Sequence, residues 1–465
     1  MGTSNKKSNI GEDKSKELKL ADNSSIAVVG GGPAGSFFSY FLQSMAERIG
    51  LKVHLDIFET RGFQNPGPTG CNMCGGLISE SLVQTLATEG IELPPSVIQR
   101  GIDSYYLHMD VGSVRIETPL HEKRIGAVYR GGGPKGSSDR EWGSFDGYLL
   151  GLAQNSGARL IGERVVDISI DEAGKPLIRT KEGSAQAYDV LVMAVGVNSP
   201  TSKLLDELGM GYKSPGTTKT YICEYLMGEE LIGSYLGNSM HTFLLNIPRL
   251  EFAAVIPKGK YATACMLGYK IDKELVQSFF ASPAVRKNFP PDWEFDKGAC
   301  QCAPRMNITA AKHPFSDRIV FIGDCGVSRL YKDGIGAAYR TSKAAARTVV
   351  FEGVAAEDFK NHFWPVCSSI NNDNRLGKLI FFVVGFFQKV KFTRAAILRM
   401  VSLEQKKAGS QRRMSTVLWD MFTGSAPYKA VLLRTFHPFF LISFLWNVAA
   451  AVWPFKSKTN REETS

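Results

Sequence analysis

The sequence predicts an α/β protein in which a parallel-sheet domain is interrupted by an antiparallel sheet and followed by a helical carboxyl-terminal region. Three stretches carry this prediction. Residues 25–59 read as strand, glycine-rich turn, helix and strand; residues 217–295 alternate in strand fashion between glycines; residues 376–465 are apolar and basic. Strands that alternate with helices form parallel sheets, whereas successive short strands form antiparallel ones.

The first element is a glycine-rich turn that follows an apolar strand. Residues 30–35 read Gly-Gly-Gly-Pro-Ala-Gly, a G-x-G-x-x-G pattern that opens an apolar-rich helix. The first glycine of such a pattern allows a sharp turn, the second lets a pyrophosphate approach the backbone, and the third allows close packing of helix on strand. Glu59 ends the second strand, where a carboxylate accepts hydrogen bonds from ribose hydroxyls. We therefore predict a dinucleotide site, with a purely structural turn as the alternative. The three glycines of the pattern are Gly30, Gly32 and Gly35.

Residues 62–76 follow as a loop rich in Pro, Gly and Asn that contains Cys71 and Cys74 in a C-x-x-C arrangement. This spacing is found in redox pairs and in halves of zinc sites. Cys300 and Cys302 form the other close pair, and their C-x-C spacing suits zinc poorly, so no metal is expected. We expect the loop to cover a flavin with one cysteine near its ring; two ordinary buried thiols are the alternative. With 8 cysteines in 465 residues and no secretory signal, the sequence predicts reduced thiols in a cytosol.

The middle of the chain predicts further strands and one helix. A helix is expected over 145–155, a strand pair over 158–161 and 164–170, and a buried strand over 188–196. Residues 217–295 then predict a second sheet, one face of which can line a pocket.

A second glycine-containing turn follows a buried strand late in the chain. Residues 318–322 are mostly apolar and end in Gly323-Asp324, which places a carboxylate at the carboxyl edge of a parallel sheet, where ligands bind. Gly334-Ile335-Gly336 then opens a helix whose free amides can face a phosphate or the pyrimidine edge of a flavin. The alternative for Asp324, a helix amino-terminal cap, is compatible with the ligand role.

The carboxyl-terminal end predicts contact with an anionic surface. Residues 376–465 carry 14 Lys or Arg and 4 Asp or Glu, a net charge equal to the +10 of the whole chain. Because aromatic and apolar side chains interleave with these charges, an anionic membrane surface is favoured over nucleic acid. Residues 438–455 are at the lower length limit for crossing a bilayer. Monotopic attachment, a span, and a helix packed on the body of the protein are all considered, and a cytoplasmic protein with peripheral or monotopic association is predicted.

These motifs resemble those of the flavoprotein class typified by para-hydroxybenzoate hydroxylase, which binds FAD. Within that class the chain is similar to the geranylgeranyl reductases, which reduce carbon–carbon double bonds in the isoprenoid chains of lipids, quinones or chlorophyll precursors. The resemblance to this family covers roughly residues 25–440. Its motifs are Cys74-Gly75-Gly76-Leu77, Arg130 with residues 145–150, and Met421-Phe422-Thr423-Gly424 before a basic end.

The resemblance implies roles for individual residues. The G-x-G-x-x-G turn would hold the pyrophosphate, Glu59 the adenosine ribose, and Asp324 the ribityl chain or pyrophosphate. Ile335 and Gly336 would lie by the flavin ring. Cys74 would lie near the flavin ring and the substrate. The implied cofactor contacts are Gly30, Gly32, Ala34, Gly35, Glu59, Arg130, Val165, Gly323, Asp324, Gly334, Ile335 and Gly336, and the implied substrate contacts are Phe252, Ala254, Ile256 and Pro257.

The substrate strand departs from the family pattern. Where the family often reads P-x-x-Y-x-W-x-F-P, this chain has Phe252, Ala254 and Ile256 at the three aromatic positions, and only Pro257 matches. Loss of the tryptophan opens the pocket wall, so the identity of the substrate is an open question. The segment also lacks both tryptophans of the W-x-W-x-I-P pattern of flavin halogenases, which disfavours halogenation.

We predict an FAD-dependent reductase of isoprenoid double bonds, with two alternatives: a flavin-dependent monooxygenase or other oxidoreductase on an apolar substrate, and a membrane-docked lipid-binding flavoprotein. No second G-x-G-x-x-G opens a helix for a separate NADPH domain, because the glycine-rich stretch after Arg130 is a loop with no helix directly following it; NADPH and ferredoxin are therefore both considered as electron donor. The predicted organisation is a disordered tail over 1–23, an FAD-binding Rossmann-like domain over 24–100, 130–200 and 296–365, an inserted antiparallel-sheet substrate domain over 101–129 and 201–295, and a helical region over 366–465.

Overall fold

The computed structural model describes residues 18–452 except 68–69, 72–74, 119–121, 136–142, 200–209, 296–299 and 407–411. Strands and helices alternate in the first part of the described chain, and the part after residue 334 is helical. The strands, in chain order, are β1 (Ser24–Val29), β2 (Val53–Phe58), β3 (Leu77–Ile78), β4 (Ile98–Ile102), β5 (Ser104–Met109), β6 (Gly112–Glu117), β7 (Ile125–Val128), β8 (Arg159–Ile161), β9 (Val165–Ile170), β10 (Pro176–Thr180), β11 (Ala185–Ala187), β12 (Val190–Met193), β13 (Thr217–Leu226), β14 (Ser239–Phe243), β15 (Leu250–Lys258), β16 (Tyr261–Gly268), β17 (Cys300–Cys302), β18 (Arg305–Asn307), β19 (Phe315–Ser316) and β20 (Ile319–Phe321).

The helices differ greatly in length, and the longest of those described lies in the carboxyl-terminal region. They are α1 (Pro33–Arg48), α2 (Glu80–Thr88), α3 (Phe145–Asn155), α4 (Glu229–Tyr235), α5 (Lys273–Ala281), α6 (Pro283–Arg286), α7 (Gly334–Arg347), α8 (Ala356–Asp358), α9 (Trp364–Lys389), α10 (Lys391–Gln405), α11 (Arg413–Thr423), α12 (Tyr428–Thr435) and α13 (Pro438–Val452).

The main sheet has the strand order β19-β20-β12-β1-β2-β8, and all its neighbours are parallel except β19. Alternate residues of β1 face opposite sides: Ile26 and Val28 pack in the core with α1 and α7, whereas Ala27 and Val29 pack with the small sheet β9-β10-β11. A strand buried on both faces reads as a continuous apolar run, which is why β1 shows no polar alternation. The predicted Rossmann-like fold is confirmed.

The parallel strands of the main sheet end in one register row, so the turns that follow them emerge at a single edge. This edge is where ligands bind in open α/β sheets. The residues of the row are Val29, Phe58, Ile161, Met193 and Phe321.

The second large sheet is mostly antiparallel, with the order β17-β13-β16-β15-β14-β5-β6 and β18 beside β13. Its two faces carry separate cores. On β15, Phe252, Ala254 and Ile256 pack toward the carboxyl-terminal helices, whereas Ala253 and Val255 pack toward α4–α6. The period of two in a strand accounts for this division.

One strand prediction is wrong. Residues 158–161 and 164–170 do form strands, but β8 pairs with β2 in the main sheet and β9 pairs with β10 in a different sheet. Adjacent short strands need not form a hairpin when each has an apolar partner elsewhere, and Val165 and Ile168 are buried under the main sheet.

The carboxyl-terminal helices pack on the antiparallel sheet through Val401, Leu418 and Phe440, which are buried. Among the described residues no single helix has both the length and the apolar character needed to cross a membrane. Helices α12 and α13 meet these criteria only as a pair, and they are bent by 67° relative to each other.

Candidate functional site

The first glycine turn forms a strained and tightly packed corner. Gly30 has a φ of +109°, and a Cβ at this position would lie 2.6 Å from the Ala194 carbonyl oxygen. A Cβ on Gly35 would lie 1.9 Å from the Gly30 carbonyl oxygen. Only glycine fits either position. Helix α1 then starts at Pro33 with Gly32 as its cap residue, and no side chain bonds its first amides. These amides are therefore available to an anion.

Glu59 lies beside this turn at the end of β2. One of its carboxylate oxygens accepts a 3.0 Å hydrogen bond from the Gly31 amide, and the other accepts a 2.9 Å hydrogen bond from the Arg61 amide. Both bonds hold the carboxylate at the sheet edge, next to the start of α1. An acid in this place suits a ribose of the nucleotide bound by the turn.

The late glycine turn contacts the first one directly. Gly323 has a φ of +61°, and a Cβ at this position would lie 2.6 Å from the Cβ of Ala34. The hydroxyl of Ser342 donates a 2.7 Å hydrogen bond to the Ala34 carbonyl oxygen, which fixes α7 against α1. Two motifs separated by almost 300 residues in the sequence thus form one surface.

Asp324 follows in a single 3₁₀ turn, Gly323–Cys325. Its side chain lies deep in the molecule, at a point that solvent still reaches, as expected for the floor of a cleft. Burial raises the pKa of the Asp324 carboxyl, and a hydrogen bond with Ser328 and the positive charge of Arg130 oppose that rise. Arg130 is therefore near enough to Asp324 to interact with it electrostatically.

Arg130 is held by a buried ion pair. Its Nη2 donates a 2.8 Å hydrogen bond to Oδ2 of Asp146, and its Nε donates to the other carboxylate oxygen. The Asp146 side chain has no exposed surface and the Arg130 side chain is 10% exposed. A two-pronged pair of this kind fixes the plane of the guanidinium. Ser144 caps α3 and also donates a hydrogen bond to the Arg130 carbonyl oxygen, which ties the helix to the arginine.

The amino end of α7 has no side-chain cap. Asp333 precedes the helix with a φ of +54°, and its carboxylate is bound by Ser79 at 2.9 Å and paired with Arg329 and Arg340. Gly334 is exposed, whereas Ile335 and Gly336 are buried. The first amides of α7 thus have no side-chain hydrogen bond, and the Asp333 carboxylate lies beside Gly336 in the first turn.

The chain's own residues fit a bound FAD. Two helix amino-termini without side-chain caps, an acid placed for a ribose and a buried Arg–Asp pair lie along one sheet edge, and glycines that tolerate no Cβ allow the turns of that edge to pack tightly. Val165 lies elsewhere: its side chain is buried with Val29 and Phe58 beneath the sheet edge. Only the Val165 backbone could face a cofactor.

The predicted substrate strand forms an apolar wall. Phe252, Ala254 and Ile256 share one buried face of β15, and Pro257 alternates to the other face. Helix α11 packs on the same face, with the rings of Phe252 and Phe422 6.0 Å apart. We call the surface formed by Phe252, Ala254, Ile256 and their neighbours on β16 the apolar wall.

The Cys-Gly-Gly segment approaches the apolar wall. A Cβ on Gly75 would lie 3.1 Å from Sγ of Cys265 and 3.5 Å from Cδ1 of Ile256. Cys74 itself lies outside the described residues, so its predicted place near the ring stays a prediction. Burial, together with nearby Cys71 and Cys300, raises the pKa of Cys302 to about 12, which makes it a thiol and not a reactive thiolate.

Sequence reasoning missed Lys332. Its Nζ lies 3.6 Å from the centroid of the Phe252 ring and 5.7 Å from that of Phe422. Burial lowers the pKa of Lys332 to about 7, an effect that nearby Cys265 opposes. The only sequence signal was a lysine two residues before Gly334, and a lysine in a loop is ordinarily a solvated surface charge.

The Met-Phe-Thr-Gly motif holds this loop in place. Gly424 ends α11 with a φ of +75°, and its carbonyl oxygen accepts a 2.6 Å hydrogen bond from Nη1 of the buried Arg329. A Cβ on Gly424 would lie 3.3 Å from the Cβ of Lys332. The motif therefore acts as a support for the residues before α7.

Two features lie apart from these residues. A cavity of about 560 Å³ lies between residues 308–315 and α9, and no predicted site residue lines it. Within the ranges that the structure describes, no group of three or more His, Cys, Asp or Glu side chains is arranged to hold a metal ion.

Comparisons with known proteins agree with this architecture. No protein-family model matches the chain. Geranylgeranyl diphosphate reductase of Synechocystis is 24% identical over 350 residues, which cover 70% of this chain and 75% of the relative. A geranylgeranyl bacteriochlorophyll reductase-like protein of Thermoplasma acidophilum superposes with a TM-score of 0.63 at 15% identity, covering 90% of this chain and 99% of the other. The p-nitrophenol 4-monooxygenase of Pseudomonas putida superposes with a TM-score of 0.55 at 11% identity, covering 88% and 100%. The predicted fold class and the resemblance are confirmed.

Proposed function

Because this chain is an oxidoreductase that resembles the geranylgeranyl reductases, we propose that it uses FAD to reduce carbon–carbon double bonds in the isoprenoid chain of a lipid or quinone. The observation that carries this proposal is the position of the apolar wall. Lys332, two residues before the open amino end of α7, contacts Phe252 of the wall. A substrate on the wall would therefore lie beside the end of α7 that suits a flavin ring.

Reduced FAD would supply a hydride, and the protein would supply orientation and a dry chamber. Gly32 and the first amides of α1 would hold the pyrophosphate, Glu59 the adenosine ribose, and Arg130 with Asp324 the middle of the cofactor. The apolar wall would hold the alkene by burial alone, since Phe252, Ala254 and Ile256 offer no hydrogen bond.

A monooxygenase reaction on an apolar substrate is the second candidate, because a monooxygenase of known structure shares the fold. Fold alone does not separate the two reactions. The requirement for oxygen separates them, because an alkene reductase works without oxygen whereas a monooxygenase requires it.

The product test uses purified protein, FAD and lipids that carry geranylgeranyl chains, kept free of oxygen and reduced with NADPH or with reduced ferredoxin in parallel. We expect mass spectrometry to show products heavier by two hydrogens per reduced bond. The electron donor is identified by which of the two reactions, with NADPH or with reduced ferredoxin, yields this product. Hydroxylated products that form only in air would contradict the reductase function. The FAD-deficient Gly32→Val variant serves as the control.

Access to a membrane-borne substrate would come through α13. Its exposed apolar side chains include Leu445 at 64% and Trp446 at 66%, and Arg413 lies 5.4 Å from the ring of Phe439 on the same helix. Apolar side chains flanked by cations suit the headgroup boundary of an anionic membrane. We therefore propose monotopic attachment, with α13 lying in the interface plane.

The double variant Leu445→Glu/Trp446→Glu is expected to lower binding to anionic liposomes by at least ~100-fold, because each large side chain contributes roughly 1.5–3 kcal/mol when buried. Co-sedimentation with the liposomes measures the fraction of protein bound. The matched control is Val166→Glu/Ile170→Glu, which adds the same charges at exposed apolar positions of β9. Equal binding of the α13 variant and the wild type would place the contact elsewhere.

A further inference from the structure

We propose that the ammonium group of Lys332 donates the proton that completes reduction of the alkene, a role that rests on the proposed function. The cationic Nζ lies over the Phe252 ring, 3.6 Å from its centroid, and 5.7 Å from the centroid of the Phe422 ring of α11. Both rings belong to the buried cluster of the apolar wall. Lys332 thus places a proton donor where the wall itself offers none.

In the part of the chain that the structure describes, the charged groups around Lys332 do not form an ion pair that would hold the proton on its ammonium group. Among the described residues no carboxylate forms an ion pair with it. The carboxylate of the adjacent Asp333 is bound by Ser79 and paired with Arg329 and Arg340. On the sheet side Cys265 of β16 interacts electrostatically with Lys332, and Glu251 of β15 is hydrogen-bonded to the neighbouring Tyr331.

An unpaired ammonium among aromatic rings is costly, and the lowered pKa of Lys332, about 7, reflects that cost. A general acid works best when its pKa lies near the working pH, because it is then both protonated and able to release the proton. Attraction between the cation and the ring faces keeps the protonated form in place.

The reaction balances with this proton. The π bond of the alkene breaks; one carbon receives a hydride, with both electrons, from the reduced cofactor, and the other receives H⁺ from Nζ. Lys332 is left as a neutral amine and takes a proton from solvent before the next turnover. Two C–H bonds form, the alkene is reduced and the cofactor is oxidised.

Other candidate donors fit less well. Tyr261 lies at the far end of β16, against Tyr129 and opposite Lys258. Burial raises the pKa of Tyr129 far above its usual range, so the Tyr129 phenol holds its proton tightly. Cys74 is outside the described residues.

The first test measures the amine directly. The FAD-loaded protein is treated briefly with acetic anhydride between pH 5 and pH 11, and mass spectrometry follows acetylation of each lysine peptide. We expect Lys332 to reach half of its maximal reactivity near pH 7. Exposed lysines of the same digest should reach half of theirs near pH ~10.4, the pKa of an ordinary lysine side chain. A Lys332 profile that coincides with those of the exposed lysines overturns the proposal, whatever the enzyme's activity.

The second test separates proton donation from charge. Lys332→Gln is expected to bind FAD as the wild type does and to lower the single-turnover rate of alkene reduction by ~10²–10⁴-fold. Lys332→Arg keeps the charge but holds its proton at neutral pH, so it should be equally slow. Lys378→Gln, an exposed lysine on α9, is the matched control.

The outcomes distinguish the two proposals. If the wild type reduces prenyl double bonds and either Lys332 variant is as fast, only the role of Lys332 fails. If the wild type reduces no prenyl double bond with either NADPH or reduced ferredoxin, the proposed function fails and the role of Lys332 fails with it.

Discussion

Replacing Gly32 with valine is expected to yield a folded protein that no longer retains FAD. Gly32 has φ −67° and ψ −175°, a conformation that any residue adopts, so valine adds no backbone strain. Its methyl groups would instead occupy the space in front of the first amides of α1. Loss of two hydrogen bonds to a charged pyrophosphate, at roughly 1.5–3 kcal/mol each, predicts at least a ~100-fold weaker affinity for FAD.

The matched control for this variant is Gly233→Val in α4, where an added Cβ meets no atom within 4 Å. Flavin fluorescence titration measures affinity, and circular dichroism confirms folding. Retention of FAD at wild-type affinity by a folded Gly32→Val protein would refute the assignment of the pyrophosphate to α1.

Replacing Asp146 with alanine is expected to reduce the free energy of unfolding by roughly 3–5 kcal/mol, because it leaves a buried guanidinium without its carboxylate. The Asp146 side chain has no exposed surface, and both its oxygens accept hydrogen bonds from Arg130. The freed Arg130 would also lose its fixed orientation toward Asp324, so FAD affinity should fall as well. Urea unfolding measures the first effect and flavin titration the second.

Glu357→Ala is the control for the loss of an ion pair. Glu357 pairs with Lys360 at 3.3 Å, but the two side chains are 67% and 63% exposed. An exposed pair contributes about 0–1 kcal/mol. If Asp146→Ala were no more destabilising than Glu357→Ala, the Arg130–Asp146 pair would not be a structural element of the site.

The glycine turns were predictable because their constraints are local. The sharp corner at Gly30 and the close packing at Gly35 follow from the positions of these glycines after an apolar strand, and the Gly323 turn follows from the same reasoning. Their contact through Ala34 required only that parallel strands end at one edge of the sheet. Helix α3 was likewise predictable, since Ser144 precedes it as a capping residue.

The features missed depend on contacts between distant segments. Nothing local shows that Lys332 becomes partly buried and meets Phe252, 80 positions earlier, because the contact exists only once α11 and β15 enclose the loop. The pairing of β8 with β2, in place of β9, is set in the same way by a neighbour far along the chain. Alternation predicts that β15 has two faces, but it does not show which helices cover each one.

The absorbance spectrum of the purified wild-type protein, followed by titration of the cofactor-free form with FAD, decides whether the two glycine turns bind a flavin. We expect a yellow protein with one FAD per chain, bound through the amides of α1 and α7. A colourless protein that binds no FAD on titration would refute the flavin site.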